Sequence, residues 1–147
     1  QRLNDTCNVN AVEAEHNQPI VAGTVYIAPG GYHLTIREKA GGMYCWLDQT
    51  EKVNRHRPSV EVLFDSVTTR LKSHQAIGVI LTGMGNDGAE AMKRMRDAGF
   101  YTIAQDEASC VVFGMPREAI KLGAVQKVVP LQEMASTVIS EGAADKS

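Results

Sequence analysis

The chain has 147 residues, which is enough for one domain with a buried core. Its 44% apolar and 22% charged residues are ordinary for a globular protein, and its net charge of −2 argues against general attraction to nucleic acid or to an anionic membrane. No apolar run reaches the roughly 18 residues of a membrane span, and no signal-peptide pattern opens the chain. The three cysteines, Cys7, Cys45 and Cys110, form no C-x-x-C pair, so we expect reduced thiols and a cytoplasmic location.

The first half of the sequence predicts short strands. Loose alternation predicts a strand at 9–14, and β-branched and aromatic residues predict a second at 23–28. The segments 33–38 and 43–48 flank a glycine-containing turn, which is typical of an antiparallel hairpin. We expect this hairpin to be an antiparallel addition to a larger sheet.

From residue 58 onward the patterns alternate between helix and strand. The predicted elements are a helix at 58–72, a strand at 77–81, a helix at 89–98 with Ala91, Met95 and Ala98 on one face, a strand at 101–105, a helix at 116–122, a strand at 125–129, and a final helix marked by Leu131, Met134, Ala135 and Val138. This order predicts an α/β fold, with a doubly wound, mostly parallel sheet that has helices on both faces. The polar segment 140–147 predicts a frayed tail.

The most informative segment is the turn after the strand at 77–81, which reads Gly83-Met84-Gly85-Asn86-Asp87-Gly88. In α/β proteins ligands bind at the carboxyl ends of strands, where this turn lies. Its letters match the G-x-G-x-x-G fingerprint of dinucleotide-binding proteins, and Asp106 follows beyond the next strand. However, Asp87 would place a carboxylate where the pyrophosphate must lie, and this opposes the anion that a helix N-terminus attracts.

Two further interpretations of this turn remain open on the residues alone. Asp87, or Asn86 beside it, would cap the helix at 89–98 and stabilise it by about 0.5–2 kcal/mol. Alternatively, Asp87 is the orienting acid of a Ser-His-Asp triad, kept ionised by amides of the glycine turn. In that case the backbone amide of Met84 is free to donate to an oxyanion.

Long ordered blocks of the sequence resemble the chemotaxis protein-glutamate methylesterases of the CheB family. These blocks are Val53–Val60, Gly78–Ala89, Thr102–Glu107 and Cys110–Pro116, and Tyr26–His33 fits the same family. The resemblance covers nearly the whole chain and is far more specific than a lone glycine fingerprint.

The resemblance implies a serine esterase that removes methyl groups from glutamyl methyl esters of chemoreceptors and releases methanol, and that can also deamidate certain glutamines. It implies no cofactor. The family's triad acid falls on Asp87, and an oxyanion-hole amide falls on Met84. The implied partners are methyl-accepting chemotaxis receptors and a receiver domain of the same protein.

The sequence departs from the family in one important respect. The family's nucleophilic serine lies in a G-A-S-T-G-G turn and its histidine in a Q-H-M-P segment, and neither motif occurs here. We therefore expect residues 1–139 to be the carboxyl-terminal part of a catalytic domain, which carries the acid but is inactive alone. An uncovered sheet edge would then favour self-association. The alternatives are a non-catalytic domain that binds a receptor or partner and, less favoured, a dinucleotide-binding module.

Other side chains offer no substitute nucleophile. No serine lies in a G-x-S-x-G elbow, and Ser59 and Ser66 fit the start and side of a helix. Neither His33 nor His56 has a serine partner visible in the sequence. Cys110 is expected to be a buried apolar residue. The segment Arg55-His56-Arg57 favours a structural or substrate-positioning role toward acidic receptor side chains.

Overall fold

The structure is a computed structural model that describes residues 9–144. In chain order its elements are β1 (Asn10–Glu13), β2 (Gln18–Pro19), β3 (Thr24–Ile27), β4 (His33–Lys39), β5 (Gly42–Asp48), α1 (Val60–Arg70), β6 (Ile77–Ile80), α2 (Ala89–Asp97), β7 (Tyr101–Gln105), α3 (Met115–Lys121), β8 (Lys127–Val129) and α4 (Leu131–Ala144). Every predicted strand and helix is confirmed, and β2 and a short 3₁₀ helix between α1 and β6 (Ser73–Gln75) are additions. Cys7 and residues 145–147 lie outside the described residues.

The carboxyl-terminal half is built on a parallel three-stranded sheet in the order β6-β7-β8. One face packs against α1, α2 and α3 through a core that includes Ile80, Met92 and Phe100. The opposite face packs against α4, where Ile103 contacts Met134. The predicted doubly wound α/β architecture, with helices on both faces, is therefore confirmed.

Two details of the helices differ from expectation. Ala98 is exposed because it is the C-cap of α2, and the buried face of that helix includes Met92 instead. Helix α4 continues through residues 140–144, which the sequence predicts as a frayed tail. Gly142 lies over Ile77 of β6, and the composition of the tail gives no sign of this packing.

The hairpin β4–β5 is confirmed, but its predicted place in the larger sheet is wrong. β2, β5 and β4 form a separate antiparallel sheet, and β1 and β3 form a parallel pair. Helix α1 lies between the two halves, and Leu63 packs against the cores of both. The hydroxyl of Ser66 accepts a hydrogen bond of 3.0 Å from the Ile36 amide of β4. The hairpin therefore pairs with α1, which separates it from β6.

The outer side of β6 is open. Among residues 9–144, β6 pairs only with β7. A depression of about 330 Å³ beside it is lined by Val60, Leu63, Phe64, Val79, Ile80, Leu81, Thr82 and Met115. No helix in the described part of the chain is long and apolar enough to cross a membrane.

Candidate active site

The glycine turn joins β6 to α2, and the loop before α3 holds it in place. The amides of Gly114 and Met115 both donate to the carbonyl of Gly83, at 3.0 and 2.9 Å, and the Gly83 amide donates to the Val112 carbonyl at 3.0 Å. A Cβ atom at Gly114 would lie 2.7 Å from the Gly83 oxygen, so only glycine permits this approach. The block Cys110–Pro116 thus braces the turn.

A buried glutamine sets the start of the same turn. Gln105 ends β7, and its side-chain oxygen accepts a bond of 2.8 Å from the amide of Thr82. Its Nε2 atom donates to the Ser109 carbonyl at 2.8 Å. Because Gln105 is buried, both contacts are shielded from water and fix the loop relative to the sheet.

Asp87 is 4% exposed, and one short segment supplies all of its described hydrogen-bond donors. Its Oδ1 atom accepts from the Ser59 hydroxyl at 2.7 Å and from the Asn54 side-chain amide at 3.0 Å. Its Oδ2 atom accepts from the backbone amide of Val60 at 2.7 Å. The carboxylate thus lies at the N-terminus of α1, where the helix dipole stabilises a negative charge.

Two predictions about the hydrogen bonds of Asp87 are wrong. Its side chain does not cap α2, because the N-cap of that helix is Gly88 and no side chain caps it. The side chain of Asn86 does not cap α2 either, although the Asn86 carbonyl accepts a hydrogen bond from the Ala89 amide. The donors to the carboxylate are also not amides of the glycine turn. The reason is the turn's packing: Gly88 has φ of +91° and touches the start of α1 so closely that a Cβ would lie 2.5 Å from Val60. Asp87 therefore stabilises a helix that precedes it in the sequence.

The same packing explains the glycine fingerprint. The space beside Gly88 is filled by Val60, and a Cβ at Gly83 would lie 2.6 Å from the Met115 sulfur. In the dinucleotide fingerprint the first glycine forms the tight turn, the second lets the pyrophosphate approach and the third permits close packing of the helix. A Cβ at Gly85, the second glycine, would have no atom within 4 Å, so the crowding at Gly83 and Gly88 does not oppose the dinucleotide interpretation. What opposes a pyrophosphate in this turn is the carboxylate of Asp87, which lies between Gly85 and Gly88.

Ser59 contacts both His33 and Asp87, but the three residues do not form a triad. Ser59 is the N-cap of α1, and its hydroxyl donates to Asp87 while it accepts from the Glu61 amide at 3.1 Å. The Ser59 amide, not its hydroxyl, donates to Nδ1 of the fully buried His33 at 3.3 Å, so the ring proton lies on Nε2, 2.8 Å from the Glu51 carbonyl. In the described part of the chain no serine hydroxyl bonds to an imidazole. The sequence carried no signal for this contact, since the partners are 26 positions apart.

Met84 lies at the tip of the turn and is 79% exposed. Its backbone amide donates to no acceptor among residues 9–144. Nearby in the bracing loop, Val111 is exposed and Cys110 is half-buried rather than buried as expected. Burial raises the pKa of the Cys110 thiol, which favours the unreactive protonated form.

Two depressions adjoin the turn and share Asn54 and Asn86. The larger, of about 460 Å³, is also lined by Arg55, His56 and Gly85. The smaller, of about 140 Å³, is also lined by Glu61, Ala89, Glu90, Glu118 and Leu122. Within residues 9–144 no group of three or more His, Cys, Asp or Glu side chains is placed to hold a metal ion.

The residues of the segment Arg55-His56-Arg57 have different surroundings and do not act as one unit. Arg57 donates to the carbonyls of Gln49 and Thr50, both at 3.3 Å, and so supports the loop after β5. Arg55 and His56 are exposed at the larger depression. A structural role fits Arg57, whereas Arg55 remains available to a ligand.

Known proteins share most of this sequence. The sequence matches the CheB methylesterase family over residues 1–138. A protein-glutamate methylesterase/protein-glutamine glutaminase of Saccharophagus degradans is 58% identical over 139 residues, which cover 95% of this chain and 40% of that protein. A protein of the same description from Cupriavidus pinatubonensis is 51% identical over 140 residues, covering 95% of this chain and 39% of that protein.

A solved structure agrees with these relatives. The crystal structure of the Thermotoga maritima CheB methylesterase catalytic domain matches with a TM-score of 0.91 and 37% identity. The match covers 95% of this chain and 73% of that one. The chain spans about 40% of the length of the curated relatives that it matches.

Proposed function

The chain belongs to the CheB methylesterase family, and from that premise we propose that it carries the acid-bearing side of a protein-glutamate methylesterase site. In this proposal Asp87 is the triad acid and the backbone amide of Met84 is an oxyanion donor. The observation that supports it is the buried Asp87 carboxylate, fixed by three donors next to an exposed turn in which the Met84 amide has no acceptor among residues 9–144.

The hydrogen bonds of Asp87 suit an acid that must orient an imidazole. Each carboxylate oxygen accepts about two hydrogen bonds, and Oδ2 has one described donor, the amide of Val60. The remaining lone pair of Oδ2 can accept an imidazole N–H. Ser59 and Asn54 hold Oδ1, so the carboxylate cannot rotate to follow the ring. Such an acid selects the tautomer of the base and stabilises the imidazolium that forms during catalysis.

The proposed reaction proceeds through an acyl-enzyme. A serine hydroxyl attacks the glutamyl ester carbonyl and transfers its proton to the histidine, and the oxygen anion is stabilised by the Met84 amide. The histidine then protonates the departing methanol, and water hydrolyses the acyl-enzyme. A glutamine would follow the same path with ammonia as the leaving group. Because residues 9–144 contain no serine hydroxyl bonded to an imidazole, both groups are proposed to come from a further part of the protein.

The same proposal names the partners and the location. The substrates are methyl-accepting chemotaxis receptors in the cytoplasm, and a receiver domain is proposed in the rest of the protein. Self-association of the 147-residue chain is also proposed. It is supported by the unpaired side of β6 and the apolar depression beside it.

The decisive experiment measures methanol release from a methylated receptor. The chain is compared with a version extended upstream to include the G-A-S-T-G-G and Q-H-M-P motifs of the family. We expect no turnover by the chain and clear turnover by the extended form. Asp87→Ala in the extended form should lower kcat by about four orders of magnitude, as loss of the acid does in other triads.

The matched control is Asp106→Ala, because among the described residues the Asp106 carboxylate accepts hydrogen bonds from Ser109 of its own loop and from no other residue. This variant should keep most of the activity. Turnover by the chain alone at the extended form's rate would contradict the proposal, as would an Asp87→Ala variant that remains fully active. An extended form that binds the receptor but releases no methanol would favour the non-catalytic binding domain.

A further inference from the structure

The turn Val53–His56 holds two residues in a conformation that side chains rarely adopt. Val53 and His56 exchange backbone hydrogen bonds of 3.0 and 2.9 Å, which close the turn. Between them Asn54 has φ of 52° and Arg55 has φ of 70°. Asparagine tolerates this left-handed region, but arginine pays roughly 1–2 kcal/mol to enter it. Strain of this kind concentrates at functional sites.

Arg55 also lacks the partners that engage most other arginines. Arg94 forms ion pairs with Asp65 and Glu61, and Arg96 donates to the carbonyls of Gly123 and Val125. Among the described residues, no carboxylate or carbonyl accepts a hydrogen bond from the exposed Arg55. Arg37 and Arg70 share this property, but Arg37 lies over the ring of Trp46, and Arg70 lies in the last turn of α1, where the helix dipole favours a cation. The dipole offers no such explanation for Arg55.

The position of Arg55 ties it to the candidate active site. It lines the depression of about 460 Å³ together with Gly85 and Asn86, which follow Met84 in the glycine turn. Its neighbour Asn54 donates to Asp87. A protein segment that places one residue at the Met84 amide therefore brings an adjacent part of its own chain near Arg55.

The two depressions beside the turn differ in charge. The exposed Arg55 lines the larger one, whereas Glu61, Glu90 and Glu118 line the smaller one. Glu61 is paired with Arg94, and Glu118 with Arg117 and Lys121, so Glu90 is the carboxylate there without an ion pair among the described residues. An acidic side chain is therefore attracted to the larger depression and finds no unpaired cation among the residues that line the smaller one. The difference selects both the sequence of a bound segment and the side on which it lies.

We propose that Arg55 forms a carboxylate-binding subsite that recognises an acidic side chain flanking the glutamyl residue on which the site acts. The substrate class is thus an acidic protein segment, bound with its carboxylate on the Arg55 side of the glycine turn. The identity of the acted-on residue rests on the proposed function. Recognition of the carboxylate does not need catalysis.

The test is a binding titration of the isotope-labelled chain, followed by NMR. Two peptides contain the same central glutamine and differ only in carrying glutamate or glutamine on either side of it. We expect the acidic peptide to bind about two- to fivefold more tightly at low salt and to shift the amides of residues 54–56 and 85–86. Added salt should weaken the preference because the pair is exposed.

Variants of the turn decide the assignment. Arg55→Asn removes the charge, and Arg55→Asp reverses it, while both replacements tolerate the left-handed backbone. The first should abolish the preference for the acidic peptide, and the second should invert it. The control Arg70→Asn removes an exposed cation at the other end of α1 and should leave the preference unchanged.

Several outcomes would overturn the proposal. They are equal binding of the two peptides, binding of neither, shifts confined to another face, or a preference that survives in Arg55→Asn. The result is independent of the methanol assay. A preference for the acidic peptide without esterase activity in the extended form would support the subsite and contradict the proposed function. Esterase activity without that preference would support the proposed function and contradict the subsite.

Discussion

Two junctions hold α1 against α2 and the glycine turn, and they are built in different ways. At the start of α1, Asp87 is buried and accepts three hydrogen bonds from neutral groups of residues 54–60. Further along, Arg94 of α2 binds Asp65 through two bonds of 2.9 Å and also pairs with Glu61. Its side chain is 48% exposed. At the first junction the Ser59 bond is buried and the Asn54 and Val60 bonds are part-buried, so we call it the buried junction; the second is open to water.

Because of this difference, the contacts of Asp87 fix the geometry of the site, whereas those of Arg94 add a little stability. Donors left unpaired by loss of a buried carboxylate find no water to replace it, whereas exposed ions are readily resolvated. Hydrogen bonding to Asp65 raises the pKa of Arg94, with Glu61 adding to the effect. The guanidinium is protonated at every accessible pH, so this shift gives no pH dependence of stability. The candidate site belongs to the buried junction.

The largest effect should come from Asp87→Ala. It leaves the Ser59 hydroxyl, the Asn54 amide and the Val60 amide without their acceptor, and we expect a loss of about 3–4 kcal/mol in the free energy of unfolding. Urea unfolding measures it, and 1 M salt should not reduce it. Asp106→Ala, which breaks only local contacts, should cost about 1 kcal/mol. Equal losses in the two variants would show that the buried junction contributes no more to stability than a local loop contact.

A smaller loss is expected from Gly88→Ala. The added methyl group would meet Val60 at 2.5 Å, and alanine would also be strained at φ of +91°. We expect a loss of about 2–3 kcal/mol, measured by thermal unfolding. Gly123→Ala is the control because its φ of +73° imposes the strain with no atom within 4 Å, so it should cost only about 1 kcal/mol. If both variants lose the same amount, contact with α1 is not what the glycine protects.

The smallest effect should come from Arg94→Gln. Because the arginine is half exposed, we expect a loss of about 0.5–1 kcal/mol at low salt that falls toward zero in 1 M salt. Lys93→Gln, which removes the exposed pair with Asp97 one turn along the same helix, should cost less still. A loss at Arg94 that exceeds that at Asp87, or that resists salt, would reverse the comparison between the junctions.

The order of helices and strands could be predicted from the sequence because each element carries its own periodicity. The place of the hairpin could not. Its strands read as antiparallel, but nothing local shows that Leu34 packs against α1, or that the backbone amide of Ile36 donates to Ser66 of α1 rather than to a neighbouring strand. The end of α4 was missed for a similar reason, since Ile77 beneath Gly142 is distant in the sequence.

The candidate site shows the same limit more sharply. The sequence singled out Asp87 and predicted that it contacts a helix start, but it pointed to the wrong helix. Capping rules concern neighbours in the chain, whereas the donors to this carboxylate precede it by 27 to 33 positions. The contact of Ser59 with His33 was hidden in the same way. Such contacts follow from how α1 docks, which local patterns do not encode.

The distant cap of α1 has a consequence for how the chain is made. During synthesis the residues of α1 leave the ribosome before Asp87 does, since the Val60 amide and its acceptor are 27 positions apart. Until the later segment emerges, the first turn of that helix has only water to satisfy this amide. Completing the helix and placing the acid are therefore a single event in the assembly of the molecule. In a newly made chain the first turn of α1 is therefore complete only when Asp87 is already in its final position.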